Sequence, residues 1–192
     1  MKKKLIILSM SPLFFLTFIQ NFPWDKLNKI NRNILNINEL LKHKSLIIGL
    51  VICLIWLLSS ICVYIQFRFF FKYGRDSGYT IKDLKEEKEA GLNFFLALIL
   101  PMMNNDISKF NVLLSFITLI FIIVLLLYKT NLYYQNPILI IAGYKIYKFK
   151  FVNNEELGLY EYIGISFDKV DGSNSIEYKK IEDNVLIIKQ MR

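Results

Sequence analysis

The stretch NPILIIAGYKIYKFKF, residues 136–151, changes its hydrophobic pattern halfway along. After the proline it is continuously apolar, which is typical of a segment buried on all sides. Beyond Gly143, apolar and cationic side chains alternate with a period of two, the pattern of a half-buried strand. The apolar positions are Tyr147, Phe149 and Phe151, and the cationic positions between them are Lys148 and Lys150.

The remainder of the chain continues this strand pattern. Turn-forming residues separate four strand-like pieces, and such a succession predicts an antiparallel meander. The pieces are residues 143–152, 159–169, 175–181 and 185–190. A sheet made from so short a segment is marginal as an independent domain, so we expect it to lean on the rest of the chain or on a partner.

The chain before residue 136 is typical of a helical membrane protein. Of its 192 residues 54% are hydrophobic, and long apolar runs dominate its first two thirds. The predicted spans are about 5–22, 46–71, 90–104 and 110–128, of which the third is short. We therefore predict an α-helical integral membrane protein with four transmembrane helices (1–135) and a small C-terminal antiparallel β domain in the cytosol (136–192).

Two features are candidates for helix packing or oligomer contacts. In the first loop, about 25–43, apolar residues recur at steps of three and four, which predicts an amphipathic outer helix. These residues are Leu27, Ile30, Ile34, Ile37 and Leu41. Their stripe fits packing within the chain, contact with the outer leaflet, or pairing with copies of itself. In the second span, Gly49 and Cys53 form a small-xxx-small pair that permits close helix packing.

Basic residues predict the orientation of the chain. With the N-terminus inside, the N-terminal lysines, the second loop and the tail place more positive charge inside than outside. The positive-inside rule then puts both termini in the cytoplasm, provided that the short third segment crosses the membrane. The second loop, residues 72–89, is interpreted as a charged linker followed by a short helix.

The net charge of +8 is spread along the membrane flanks rather than gathered in one groove. From Lys129 onward there are nine basic and eight acidic residues, so we expect no direct nucleic-acid binding. The sequence has no glycine-rich phosphate loop, CxxC, HExxH or GxSxG motif, and His43 is its single histidine. We therefore expect no enzymatic activity, no catalytic residue, no metal and no cofactor.

Asn104, Asn105 and Asp106 form a polar group between the third and fourth predicted spans, at the outer face. One interpretation is a polar sensor site outside the membrane. The other is an ordinary turn whose side chains cap the two neighbouring helices, and we favour it because helix ends need such partners.

Three stretches carry a resemblance to a known family. They are LSMSPLFFLTF (8–18), FFLALILPMMNNDI (94–107) and NPILIIAGYKIYKF (136–149), in that order and spacing. On these stretches the chain resembles the KwaA family, the membrane proteins of the Kiwa anti-phage systems. The most specific element is Asn136-Pro137 followed by Gly143-Tyr144 and a strand.

The resemblance implies an inner-membrane protein of four helices that forms homo-oligomers, described as tetramers, and has no catalytic residues. It also implies a soluble DNA-binding effector, KwaB, which the membrane protein holds at the bilayer. Infection would be sensed at the envelope, and the effector would then block phage DNA replication and late transcription. The residues proposed as a structural hinge or docking surface are Asn136, Pro137, Gly143, Tyr144, Lys148 and Lys150.

Two other classes of function remain open on the sequence alone. A stand-alone membrane immunity protein would need no soluble partner. A small oligomeric channel would need a polar lining. The candidates for that lining are Ser59, Ser60, Gln66, Asn93 and Ser115.

Overall fold

The computed structural model describes residues 1–24, 44–72, 76–99, 106–130, 132–152, 160–171 and 175–191. The predicted amphipathic helix over 25–43, with its five apolar residues, lies outside the described residues, as do Asn104 and Asn105. Within the described ranges, a bundle of helices packs on one sheet.

Three helical segments are long and apolar enough to span a membrane, which confirms three of the four predicted spans. The first span comprises α1 (Lys2–Ser9) and α2 (Ser11–Asn21), and the second is α3 (Lys44–Lys72). The predicted third span contains α4 (Ala90–Ile99), which at ten residues is too short to cross a bilayer by itself. After α5 (Phe110–Thr130), a 3-10 turn (Leu132–Tyr134) and α6 (Pro137–Ile141) lead to the sheet.

The first span forms the centre of the bundle. In its most apolar window 56% of the residues are buried, against 22% for α3 and 17% for α5. Phe14 stacks on Trp56 of α3 at 4.5 Å between ring centroids and meets Phe116 of α5 edge-on at 5.9 Å. The outward faces of α3 and α5 expose isoleucine, leucine and phenylalanine side chains, as expected for helices that face lipid.

A proline kink separates α1 from α2. Pro12 has no N–H, so it cannot donate to the Leu8 carbonyl one turn earlier. The Ser11 hydroxyl donates to that carbonyl instead, at 2.7 Å. The helix therefore bends where a side chain replaces a missing backbone hydrogen bond, which is a common origin of sharp kinks.

α4 begins at the sheet end of the bundle, and Ile107, just before α5, lies at the remote end. At the sheet end, Gly91 in the first turn of α4 lies directly against Ile140 of α6. At the remote end, the Ile107 amide donates to the Asn21 side chain at 3.0 Å. Gly91 and Ile107 therefore lie at opposite ends of the bundle.

Six strands form a single sheet. They are β1 (Asp76–Tyr79), β2 (Ile81–Glu86), β3 (Lys145–Phe151), β4 (Tyr162–Ser166), β5 (Ile176–Glu182) and β6 (Val185–Gln190), in the order β1-β5-β6-β4-β3-β2. Only Thr80 separates β1 from β2, yet β1 pairs with β5 and β2 pairs with β3, at opposite ends of that order. Residues 76–86 therefore act as one bent strand that closes the sheet into a small barrel.

The predicted helix in the second loop is wrong, because residues 76–86 form β1 and β2 instead. The cause is tertiary: β3 and β5 offer unpaired strand edges, and Ile81 is buried against the aromatic core of the sheet. Such packing outweighs the helix propensity of the lysines and glutamates in this loop. The sheet consequently contains strands from both sides of the predicted domain boundary at residue 136.

The predicted antiparallel sheet is also wrong at one position. Four pairings are antiparallel, but β4 and β6 run parallel. The chain leaves β4, crosses to β5 and returns through a tight hairpin, so that β6 fills the place between them. The outer edge of β5 is then free to pair with β1, which closure of the barrel requires.

A bulge supplies part of the bend in the closing strand. The register with β3 shifts between Lys82 and Lys85, and Asp83 in this interval has a φ of +57°. Aspartate is one of the few residues other than glycine that tolerate this left-handed conformation. A bulge of this kind increases local twist and curvature.

Both faces of the sheet are covered by apolar groups. The predicted alternation in β3 is observed, since Tyr147, Phe149 and Phe151 point into the barrel. The residues on the opposite face join the core of the bundle; they are Ile146, Ile165, Val185 and Ile187. Inside the barrel, Gly164 lies so close to Phe149 and Ile188 that a Cβ atom would overlap both. The barrel and the bundle thus share one continuous packing interface.

Candidate functional site at the junction of helices and sheet

The helix α6 joins the membrane helices to the sheet and is capped at both ends. Asn136 is its N-cap, and its side-chain oxygen accepts from the Ile138 amide at 3.0 Å. Pro137 occupies the first helical position, where a missing N–H costs nothing. Pro137 therefore begins a helix, and together with Asn136 it fixes where α6 starts.

The other end of α6 is a Schellman motif. Gly143 has a φ of +91°, and its amide donates to the Ile140 carbonyl at 3.0 Å. The Tyr144 amide donates to the Leu139 carbonyl at 2.9 Å. Glycine is favoured here because side chains clash in the left-handed region. The expected bend at Gly143 is thus a helix stop that directs the chain into β3.

Asn136 also links α6 to the first span. Its side chain is fully buried, and its amide nitrogen donates to the Leu5 carbonyl in α1 at 3.2 Å. The Ser9 hydroxyl donates to the same carbonyl at 2.9 Å. A buried polar side chain that uses both its donor and its acceptor fixes the relative position of two elements.

Tyr144 packs between elements from both parts of the molecule. Its ring meets Phe67 of α3 edge-on at 5.5 Å and Phe167, which follows β4, at 5.4 Å. Desolvation by burial raises the pKa of Tyr144 above its ordinary value. The ring therefore packs between the helices and the sheet at the junction.

A polar triad joins three distant parts of the chain at the sheet end of the bundle. Lys2 Nζ lies 2.7 Å from one carboxylate oxygen of Glu182, at the end of β5. The Tyr133 hydroxyl donates to the other oxygen at 2.6 Å. The Lys2 ammonium also lies over the rings of Tyr128 and Tyr133, at 4.8 Å and 5.7 Å from the centroids. The carboxylate thereby ties the first helix and the 3-10 turn after α5 to the sheet.

The titration of this triad reflects its contacts. Desolvation raises the pKa of Tyr133, and the hydrogen bond to Glu182 and the charge of that carboxylate raise it further. For Glu182, partial burial raises the pKa, but the hydrogen bonds from Lys2 and Tyr133 outweigh it. The net pKa of Glu182 lies below its ordinary value of 4.5.

Two further cations of the sheet have partners within the chain, one beside the sheet and one in α3. Lys148 of β3 pairs with Glu87, just before α4, at 3.0 Å, and this hydrogen bond raises the pKa of Lys148. Lys179 of β5 donates to the Phe70 carbonyl at 3.3 Å and lies 3.8 Å from the centre of the Phe70 ring. Lys148, predicted as a docking residue, therefore already has a partner within the chain.

The other predicted residues lie away from this junction. Gly49 packs against Ile107 and Leu113 at the remote end of the bundle, and Cys53 is buried inside it. The Asp106 carboxylate accepts from the Ser108 amide at 3.0 Å, as in an ordinary Asx turn. Lys150 is half-buried opposite Lys82 of β2.

The five lining candidates of a channel are distributed over α3, α4 and α5. Ser60 is only 4% exposed, and its hydroxyl donates to the Trp56 carbonyl at 3.0 Å. The hydroxyls of Ser59 and Ser115 donate to carbonyls of their own helices. The Gln66 side chain accepts from Lys4 at 2.6 Å, while Asn93 is exposed on α4.

Sequence reasoning missed Lys2, Tyr133 and Glu182 as a unit. The sequence indicates Lys2 only as topological charge, and it places Glu182 in the predicted turn between the strand-like pieces 175–181 and 185–190. The two residues are 180 positions apart, so no local pattern indicates that they meet.

Comparison with known proteins covers the bundle and the barrel together. A family model described as "Anti-phage protein KwaA" matches residues 1–187. The chain belongs to the KwaA family. It is 24% identical over 140 residues to the Kiwa protein KwaA of Escherichia coli O55:H7 (strain RM12579 / EPEC), which covers 73% of this chain and 72% of that protein. No solved structure gives a significant match.

The resemblance seen in three short stretches is thereby confirmed. Two of these stretches coincide with identifiable structural features of this KwaA-family chain. The first, residues 8–18, contains the proline kink of the central span. The third, residues 136–149, contains the doubly capped α6 and most of β3.

We expect replacement of Asn136 to loosen the junction. Asn136→Ala removes both the N-cap and the bond to Leu5, and should lower the free energy of unfolding by about 1–3 kcal/mol. Asn136→Ser retains a capping oxygen but is too short to reach Leu5, so its loss should be intermediate. Unfolding in mild detergent, followed by tryptophan fluorescence, measures both. Gln135→Ala is the control, and wild-type stability in Asn136→Ala would contradict this role.

We expect the triad to stabilise the fold only while Glu182 is ionised. Because its pKa is lower in the folded state, this stabilisation is present above about pH 4.5 and is lost as the pH falls through the folded-state value. Glu182→Gln should cost about 1–3 kcal/mol at neutral pH and show a weaker loss of stability in acid.

Asp183→Asn is the matched control, since this neighbouring side chain is 89% exposed and pairs with Lys180 at i,i+3. Unfolding curves at neutral and acidic pH test the comparison. Equal pH profiles for Glu182→Gln and the wild type would rule out the proposed contribution of the triad.

Proposed function

We propose that this chain is the membrane sensor and scaffold subunit of a Kiwa anti-phage complex, which holds a soluble DNA-binding effector of the KwaB type at the membrane. Membership of the KwaA family supports the defence role. The observation that carries the scaffold role is the junction, where Asn136, Tyr144 and Glu182 attach the barrel to the bundle. A protein bound to the barrel would be held at a defined position against the bilayer.

The proposed membrane topology has four crossings in the bacterial inner membrane, with both termini in the cytoplasm. Gly91 lies at the sheet end and Ile107 at the remote end, which favours a crossing by the segment between them. Lys2 and the barrel lie at the same end of the bundle. The excess of lysine and arginine at that end favours the cytoplasmic side.

The effector would bind side chains of the barrel rather than an open strand edge. Closure of the sheet by residues 76–86 pairs the two strands that would otherwise be edges. Val152 and Tyr160 are 52% and 59% exposed, and the register of β3 with β4 places them at the same end of that pair. An exposed apolar pair of this kind suits a protein contact.

DNA binding is proposed to belong to the effector, and no catalytic step is proposed for this chain. The near-balance of charge from residue 129 onward disfavours a nucleic-acid groove. The family resemblance further supports a homo-oligomer, with the tetramer as the proposed form. The exposed apolar faces of α3 and α5 are available to lipid and to sister subunits.

Labelling of single cysteines should reveal the four-crossing topology. In a background with Cys53→Ala and Cys62→Ser, we expect Lys109→Cys to react with a membrane-impermeant maleimide applied outside intact spheroplasts. Asp168→Cys should react only after the membrane is opened, because it lies with the barrel. Both parent residues are exposed. Labelling of Asp168→Cys from outside would contradict cytoplasmic placement of the barrel.

Affinity purification from native membranes tests the scaffold role. The full chain with a C-terminal tag, extracted in mild detergent, should retain a soluble DNA-binding protein in a stoichiometric amount. Val152→Lys combined with Tyr160→Lys should release it, since two desolvated charges would replace apolar contacts. Lys169→Glu, an exposed change elsewhere on the barrel, should not. A homo-oligomer without any soluble partner, together with unchanged phage titres, would contradict the proposal.

A further inference from the structure

An apolar groove opens between the first span, α3, α4 and α6. Its volume is about 740 Å³, within the roughly 300–1,000 Å³ typical of ligand sites. Its walls include Pro12 and Phe15 of the first span, Ile61 and Tyr64 of α3, Phe95 of α4 and Ile141 of α6. Ile61 and Ile141 are 57% and 77% exposed, so the groove opens at the protein surface.

The walls of this groove suit hydrocarbon rather than a polar ligand. Among the described residues that line it, the polar side-chain groups are two serine hydroxyls and the Tyr64 phenol. The Ser11 hydroxyl donates to the Leu8 carbonyl at 2.7 Å, and the Ser60 hydroxyl donates to the Trp56 carbonyl at 3.0 Å. Both donors are therefore satisfied within the helices, and a ligand meets methyl and ring surfaces.

The groove lies at the depth of one leaflet and fits within the thickness of that leaflet. On α3 it extends from Leu57 to Tyr64, which at 1.5 Å per residue is about 10 Å along the helix. One leaflet contributes about half of a hydrocarbon core of about 30 Å. The groove lies in the half nearer the sheet, since α6, which leads into β3, forms its wall at that end.

The sheet end of the groove is bordered by cations. Arg68 is exposed one helical turn beyond Tyr64, in the direction of the sheet. Lys3 and Lys4 are also exposed at this end of the bundle. A guanidinium next to an acyl-sized groove complements a lipid phosphate, which it binds with two parallel hydrogen bonds.

We propose that this groove binds an acyl chain of an anionic phospholipid from the sheet-side leaflet, with the lipid phosphate held by Arg68. The lipid would fill the space that the kink at Pro12 leaves beside α3. It would also contact Ile138 and Ile141 of α6, the helix that carries the chain into the sheet. Lipid binding at this groove requires neither an effector nor phage, so it can be tested independently of the scaffold role.

Lipid titration of the full chain in mild detergent tests the proposal. Native mass spectrometry counts bound dioleoyl phosphatidylglycerol, with dioleoyl phosphatidylcholine as the neutral comparison. Ile61→Trp fills the groove from α3, and Phe95→Trp fills it from the opposite wall. Leu58→Trp is the matched control, because Leu58 is 56% exposed on the same helix outside the groove. Arg68→Gln removes the phosphate contact, with Lys109→Gln, an exposed cation at the remote end of the bundle, as its control.

The wild type and both controls should bind phosphatidylglycerol in preference to phosphatidylcholine. Either tryptophan in the groove should weaken retention of both lipids by about tenfold or more. Arg68→Gln should weaken phosphatidylglycerol binding by about tenfold and phosphatidylcholine binding less, because the choline ammonium already offsets the phosphate charge of the latter.

Unchanged lipid retention in both groove variants would overturn the proposal. A changed oligomeric mass with unchanged lipid would do so as well, and would identify a second copy of the chain as the occupant. Equal binding of the two lipids by the wild type would refute the anionic specificity.

Discussion

The pairing of residues 76–86 with both β3 and β5 is the constraint on which the rest of the structure depends. This strand follows α3 after three residues and precedes α4 by three residues. The sheet is therefore tied to two helices of the bundle, α3 and α4, through its own hydrogen bonds. Separation of the barrel from the bundle would require disruption of the backbone hydrogen bonds that join β1 to β5 and β2 to β3. The barrel is a structural part of the membrane protein rather than a domain on a flexible tether.

The junction then adds contacts whose partners lie far apart in the chain. Asn136 bonds to the Leu5 carbonyl, and Glu182 binds Lys2 and Tyr133. Asn136 and Glu182 thereby both bind the first span, which is also the most buried of the three candidate spans among the described residues. A displacement of this central span would therefore act directly on β5 and α6. That mechanical connection is the physical basis on which we propose a sensor role for a chain without catalytic motifs.

The match to the KwaA family extends over residues 1–187, so it includes the spans, the closing strand and the barrel. Identity to the E. coli protein is nevertheless 24%. Hydrocarbon-facing positions accept many apolar residues, because lipid imposes no specific packing partner. The capped α6 and the kink at Pro12 are more demanding, since each depends on the backbone chemistry of particular residues.

Local chemistry made much of this fold predictable. Three spans follow from hydropathy, the β3 alternation from its period of two, and the stop at Gly143 from the left-handed φ that glycine permits. For the junction, the sequence indicated Asn136, Pro137, Gly143 and Tyr144 but not their contacts.

What only the tertiary structure decided is which distant segments meet. The lysines and glutamates of residues 76–86 favour a helix locally, yet two strand edges and the buried Ile81 make that segment a strand. The parallel β4–β6 pair and the Lys2–Glu182 contact have the same origin. Hydrophobic periods determine which face of an element is buried, whereas the choice of partner depends on the shape of the assembled core.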